Sequence, residues 1–143
     1  MNPNAELLNF IYQNSEMGVE TLNQMIELVA NPSLAKQLEM QRKTYQDIHI
    51  KSREMLNENG YDEKAISSFE RISAYIMINL KTLADKSDSH IAEMLIQGSN
   101  MGIIDATKKI NEYEGSAEKD ILSLMKKLKK SEEENAEKLK AYL

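Results

Sequence analysis

The chain has 143 residues, 23 acidic against 18 basic side chains, a net charge of −5 and no cysteine. The length suits one domain burying roughly 70% of the surface its unfolded form exposes, and the composition excludes disulfides, thiolate metal sites and thiol nucleophiles. With only two histidines, His49 and His90, a multi-histidine metal site is excluded as well, and the acidic balance argues against a nucleic-acid partner, which reads a basic surface.

In chain order, helices are predicted at 4–29, 32–58, 64–85, 88–113 and 116–142. Asn2-Pro3 and Asn31-Pro32 each set a capping side chain before a residue whose missing amide hydrogen costs nothing at the first helical position. Asp62 and Ser87 are candidate caps for two further starts, and Gly60 and Gly115 sit where helices should end in the left-handed conformation. In the first helix Leu8, Tyr12, Ser15, Val19, Leu22, Ile26 and Val29 step by four and three and share one stripe. The same stripe returns 84 residues later as Ala92, Ile96, Ser99, Ile103, Ala106, Ile110 and Tyr113, again with a serine as its polar interruption. The local wording repeats too, "QNSEMG" at 13–18 and "QGSNMG" at 97–102. The segment 64–85 has a stripe of its own in Ile66, Phe69, Ser73, Ile76, Leu80 and Leu83. No sustained alternation or hairpin signal points to a strand.

The run Lys126-Lys127-Leu128-Lys129-Lys130, followed by Glu132-Glu133-Glu134, reads as a solvated face laced by salt bridges between neighbouring turns. Residues 72–80, the longest uncharged and mostly apolar segment, fall far short of the roughly 20 residues a membrane span needs. The opening residues lack the basic start and apolar run of a secretory signal. A cytoplasmic protein with no membrane partner is therefore expected.

Helices of about 26 residues, each about 39 Å long, have the dimensions of an antiparallel bundle. The short loops pair 4–58 and 88–142 as two related hairpins, and the link between them carries an additional helix at 64–85. The whole of 1–143 is then a single all-α domain.

The duplicated hairpin, the serine-interrupted stripes and the histidine of "YQDIH" resemble the ferritin-like superfamily, in particular rubrerythrin-like four-helix bundles. The stretches "NPSLAKQLEMQRKTYQDIHIKSREMLNENG" and "NLKTLADKSDSHIAEMLIQGSNMG" are similar to a bacterial group of ferritin-like domains of unknown function. The resemblance implies a crossover link, and in metal-binding members a glutamate from each of two helices and Glu-x-x-His from each of the other two, gathered around two metal ions. It places the first glutamate at Ser15 and its counterpart at Ser99. One Glu-x-x-His falls on Gln46-Asp47-Ile48-His49 and the other on Glu132-Glu133-Glu134-Asn135. Serine, glutamine and asparagine carry no negative charge, so two cations would be left uncompensated. The di-metal centre is expected to be absent, with no metal and no cofactor.

Each remaining polar residue has a structural reading. Ser15 and Ser99 permit close helix packing and can bond to a carbonyl one turn back. Gln46, His49, Glu132 and Asn135 form an internal hydrogen-bond network or turn to solvent. His90, near a helix start, is expected to be exposed, and Met17 and Met101 to fill the core.

The expected function is that of a non-enzymatic ferritin-like bundle acting by protein binding or assembly, with a homodimer favoured among homo-oligomers. The alternative is a metal-dependent oxidase or peroxide-handling protein that holds iron or manganese in an altered site built from Glu16, His49, Asp105 and Glu132. A third reading is a small-molecule binder using the space that metals and their ligands would fill. No catalytic residues stand out, since no nucleophile–base pair or phosphate-cradling glycine loop is present.

Overall fold

The computed structural model describes residues 2–61 and 83–143. Among them are four α-helices, α1 (Pro3–Leu28), α2 (Pro32–Glu58), α3 (Asp88–Tyr113) and α4 (Lys119–Leu139), with a 3-10 turn at Lys140–Tyr142 and no strand. The expected additional helix lies outside the described residues apart from 83–85, which are not helical.

The caps at Asn2, Asn31 and Ser87 form as the sequence suggests, and the candidate cap Asp62 lies outside the described residues. The Asn2 side chain accepts from the Asn4 amide at 3.0 Å, Asn31 from Ser33 at 2.9 Å, and Ser87 from His90 at 3.3 Å. Gly60 ends α2 with φ 76°, the left-handed conformation expected of it. Gly115 departs from expectation: it has no positive φ, because α3 runs on through an αR Glu114 into turns in which the Ser116 and Ala117 amides both donate to the Tyr113 carbonyl. The last helix accordingly starts at Lys119 rather than 116.

Contacts between helix ends fix the directions. The Asn2 amide meets the Tyr61 hydroxyl, and the Glu118 backbone amide donates to Asn4 Oδ1 at 2.8 Å, so the start of α1, the end of α2 and the start of α4 share one end of the bundle. At the other end Asn31 Nδ2 donates to Asp88 Oδ2 at 2.8 Å, and the Ser33 and Tyr142 hydroxyls are 2.8 Å apart. Helices α1 and α4 therefore run one way and α2 and α3 the other. The chain leaves α2 at one end and enters α3 at the opposite end.

The closest packing is within the pairs α1/α2 and α3/α4. Leu8 and Ile11 of α1, Leu38 and Ile48 of α2, Ile91 of α3 and Met125 of α4 are fully buried. Each such side chain contributes about 1.5–3 kcal/mol of transfer free energy. The twin stripes of α1 and α3 are buried or half-buried at every position. No helix among the described residues is long and apolar enough to cross a membrane.

Candidate functional site

The inward stripes of α2 and α4 carry polar residues at their centres. In α2 the stripe is Leu34, Leu38, Gln41, Tyr45, Ile48, Ser52, Met55, and in α4 it is Ile121, Met125, Leu128, Glu132, Asn135, Leu139. Steps of four and three keep all of these on the core face, so Gln41, Glu132 and Asn135 are buried by their register. Glu132 thus departs from the expected solvated charge run: it stands four residues after the buried Leu128, on the same face. Among the described residues, the ion pair made by that run is between Lys126 and Glu114 at the end of α3, at 3.6 Å, rather than with the glutamates that follow.

Tyr45 and Glu132 form the centre of the site. The phenol donates a hydrogen bond to Glu132 Oε1 inside the bundle. Burial pushes the Glu132 carboxyl up to about 7, with the phenol and the Ser99 hydroxyl acting in the opposite direction. Burial, followed by the adjacent Glu132, holds the Tyr45 phenol well above its ordinary range, while the Asn135 and Ser99 side chains pull it back in part. Near neutral pH the pair is therefore divided between an ionised and a neutral carboxyl. Two buried amide nitrogens, Gln41 Nε2 and Asn135 Nδ2, have no hydrogen-bond partner of ordinary geometry. An unmet donor of this kind costs about 1–3 kcal/mol.

A cleft of about 640 Å³ reaches this layer between α1 and α3. Its walls come from both copies of the repeated hexapeptide: Asn14, Met17 and Gly18 from the first, Gly98, Ser99, Met101 and Gly102 from the second. Gln41, Tyr45 and Glu132 also line it, and all three are buried. The two repeated glycines have packing reasons. A Cβ on Gly18 would stand 2.7–2.8 Å from three atoms of the Tyr45 ring, and one on Gly102 would stand 3.2 Å from the Glu132 carboxyl carbon. Met101 differs from its expected role as core filler: the cleft is open at that point and leaves it 66% exposed.

The other sequence-derived residues do not gather here. Ser15 donates to the Ile11 carbonyl at 2.7 Å, the bond one turn back that was expected. Ser99 instead faces the Tyr45–Glu132 pair. His49 stacks on Tyr12 with ring centroids 4.3 Å apart, its Nδ1 3.2 Å from the Tyr12 carbonyl and 3.4 Å from the Ser15 hydroxyl. Gln46 is exposed. The expected network of Gln46, His49, Glu132 and Asn135 is thus divided: Glu132 and Asn135 lie at Tyr45, while His49 lies at Tyr12 and Ser15. Of the four residues of the altered metal site, Asp105 and Glu132 line the cleft, and neither Glu16 nor His49 does. Among the described residues no three acidic or histidine side chains come together closely enough to hold a metal ion. His90 is half-buried rather than exposed, with Nδ1 3.6 Å from Glu93 Oε2.

No family model, curated protein or solved structure matches the chain. Sequence reasoning missed Gln41 and Tyr45, and the signal for both is the α2 stripe, whose steps of four and three put them on the core face. It also passed over the glycines within the repeat. Each is a mid-helix glycine with a cost near 1 kcal/mol, which points to a close approach.

Proposed function

We propose that the chain is a ferritin-like bundle without a di-metal centre, acting by binding and assembly rather than by catalysis. The observation that carries this reading is the dispersal of the ligand-equivalent residues. Ser15 is satisfied within its own helix and beside His49, Gln46 faces solvent, and Glu132 is held by a tyrosine in a different cluster. A pair of divalent cations needs several carboxylates converging on it, and these side chains do not fit that requirement. The ferritin-like part of the proposal is supported by the duplicated stripe and by helix directions in which the link joins opposite ends, the arrangement with one long connection.

Assembly is proposed as a homodimer. Supporting it, Met101 and Ile104, 66% and 55% exposed, lie three residues apart on α3, a spacing that places them on one face.

The test is to express the full chain in medium supplemented with iron and manganese, purify it without chelator or affinity tag, and count metal per chain by mass spectrometry. Less than about a tenth of an equivalent is expected, with a dimer mass in sedimentation. One or two metals per chain would overturn the non-metal reading in favour of the altered site, and a monomer at all concentrations would overturn the dimer.

A further inference from the structure

We infer that the cleft between α1 and α3 is a binding site for an uncharged, elongated apolar molecule whose head group accepts hydrogen bonds, such as a ketone or ester carbonyl. This deepens the binding reading above and rests on it in one respect: the molecule is held and not converted.

The dimensions suit a small molecule, since about 640 Å³ lies within the range of ligand sites, roughly 300–1,000 Å³. The walls include four methionines, Met17, Met25, Met94 and Met101. Methionine is unbranched and polarisable, so such walls adjust to an irregular apolar body. Charge narrows the class further. Among the described residues the acidic groups lining the cleft are Asp105 and Glu132, and no lysine or arginine lines it. Among those residues a carboxylate or phosphate ligand would meet two acids and no cation.

The buried floor selects the head group. Gln41, 4% exposed, lines the cleft, and its Nε2 is buried without a partner. Turned toward the cleft, this amide would find in a carbonyl oxygen the acceptor that it lacks. Glu132 is suited to the same role, because with a carboxyl held near 7 a large share of it is protonated and donates. An amine would be a poorer fit: burial disfavours the ionised form of Glu132 that would pair with it, and the adjacent amide nitrogen offers hydrogens and no acceptor.

The experiment titrates three molecules with the same ten-carbon chain, 2-decanone, decylamine and decanoate, into the full chain at neutral pH. Calorimetry gives affinity, and two-dimensional NMR follows the side-chain amide signals. Saturable one-site binding of 2-decanone is expected, about tenfold tighter than decylamine or decanoate, with the Gln41 amide signals shifting. Gln41→Leu keeps the volume and removes the donor, and it should weaken 2-decanone about tenfold. Gly98→Leu, at an exposed wall position with nothing within 4 Å of its Cβ, should place a side chain in the cleft and weaken the ketone while leaving the fold intact. Tighter binding of the amine or the carboxylate, an unmoved Gln41 signal, or unchanged affinity in both variants would overturn the assignment. The metal count on the same preparation keeps the two readings apart. Ketone binding by a metal-loaded chain would overturn the non-metal reading alone, and absence of both metal and ketone binding would overturn the ligand assignment alone.

Discussion

Glu132→Gln isolates the ionisation of the buried acid, because glutamine retains an oxygen for the Tyr45 hydroxyl and cannot carry a charge. In the folded chain the Glu132 carboxyl titrates at about 7, against an ordinary value of 4.5, with burial as the leading cause. The sign follows from proton counting. Below the ordinary value both folded and unfolded states are protonated, and the group contributes no pH dependence. Between 4.5 and about 7 the unfolded chain releases its proton while the folded chain keeps it, so stability falls as pH rises. Above that window both states are ionised and the whole penalty, about 3 kcal/mol, is present. Urea denaturation of wild type and Glu132→Gln at several values between about pH 4 and pH 8.5 measures it. The stability of the variant relative to wild type should climb by about 3 kcal/mol across that interval, from whatever constant offset the amide introduces. A difference that stays flat, or that shrinks with rising pH, would refute the picture of a desolvated acid held by a tyrosine.

The three glycines of the cleft should respond oppositely to one substitution. Gly98→Ala meets nothing within 4 Å and should stabilise by about 0.5–1 kcal/mol through helix propensity alone. Gly18→Ala drives a methyl into a Tyr45 ring that is 7% exposed and tied to Glu132, and it should destabilise by about 1–3 kcal/mol, with Gly102→Ala between them; equal effects in thermal denaturation would show that the close approach is absent. At the far end of the bundle, Asn31 both caps α2 and donates to Asp88. Asn31→Ala should cost about 1–2 kcal/mol, and a double-mutant cycle with Asp88→Ala should show coupling of about 0.5 kcal/mol or more, whereas strict additivity would mean that the two hairpins are not joined there.

The helices were legible because their signals are local. Asn-Pro starts, the Gly60 stop and stripes stepping by four and three each act within a turn or two of the chain, and the described helices begin and end within a few residues of expectation. Gly115 shows the limit of such reading. Two backbone bonds to Tyr113 complete the turn without a left-handed residue, and a glycine's freedom does not compel its use. The site was legible only in part. Ser15 was placed correctly down to its carbonyl bond, because that bond lies within one helix. Ser99 occupies the same step of the same stripe and yet turns to a tyrosine and a glutamate on two other helices, which nothing local in α3 specifies. Glu132 was singled out by the family resemblance and not by composition. A glutamate among lysines and glutamates looks solvated until its register against Leu128 and Leu139 is counted.

That contrast explains why the chain says nearly the same thing twice. Each copy of the hexapeptide brings a serine into the bundle and, three residues later, a glycine on the wall of the cleft. What the two copies share is backbone clearance: a mid-helix glycine, disfavoured by about 1 kcal/mol against alanine, is retained where another helix sends a bulky polar group across. What they do not share is the group itself, a tyrosine ring over Gly18 and a carboxyl over Gly102. The two halves therefore frame one asymmetric site instead of two equivalent ones. Histidine is excluded from it, since His49 is held by Tyr12 and Ser15 and lines no part of the cleft. The polar chemistry open to a ligand is left to a buried acid that is neutral part of the time, a tyrosine bound to it, and an amide with a hydrogen to give. Such a set suits holding an uncharged polar head better than gathering metal ions.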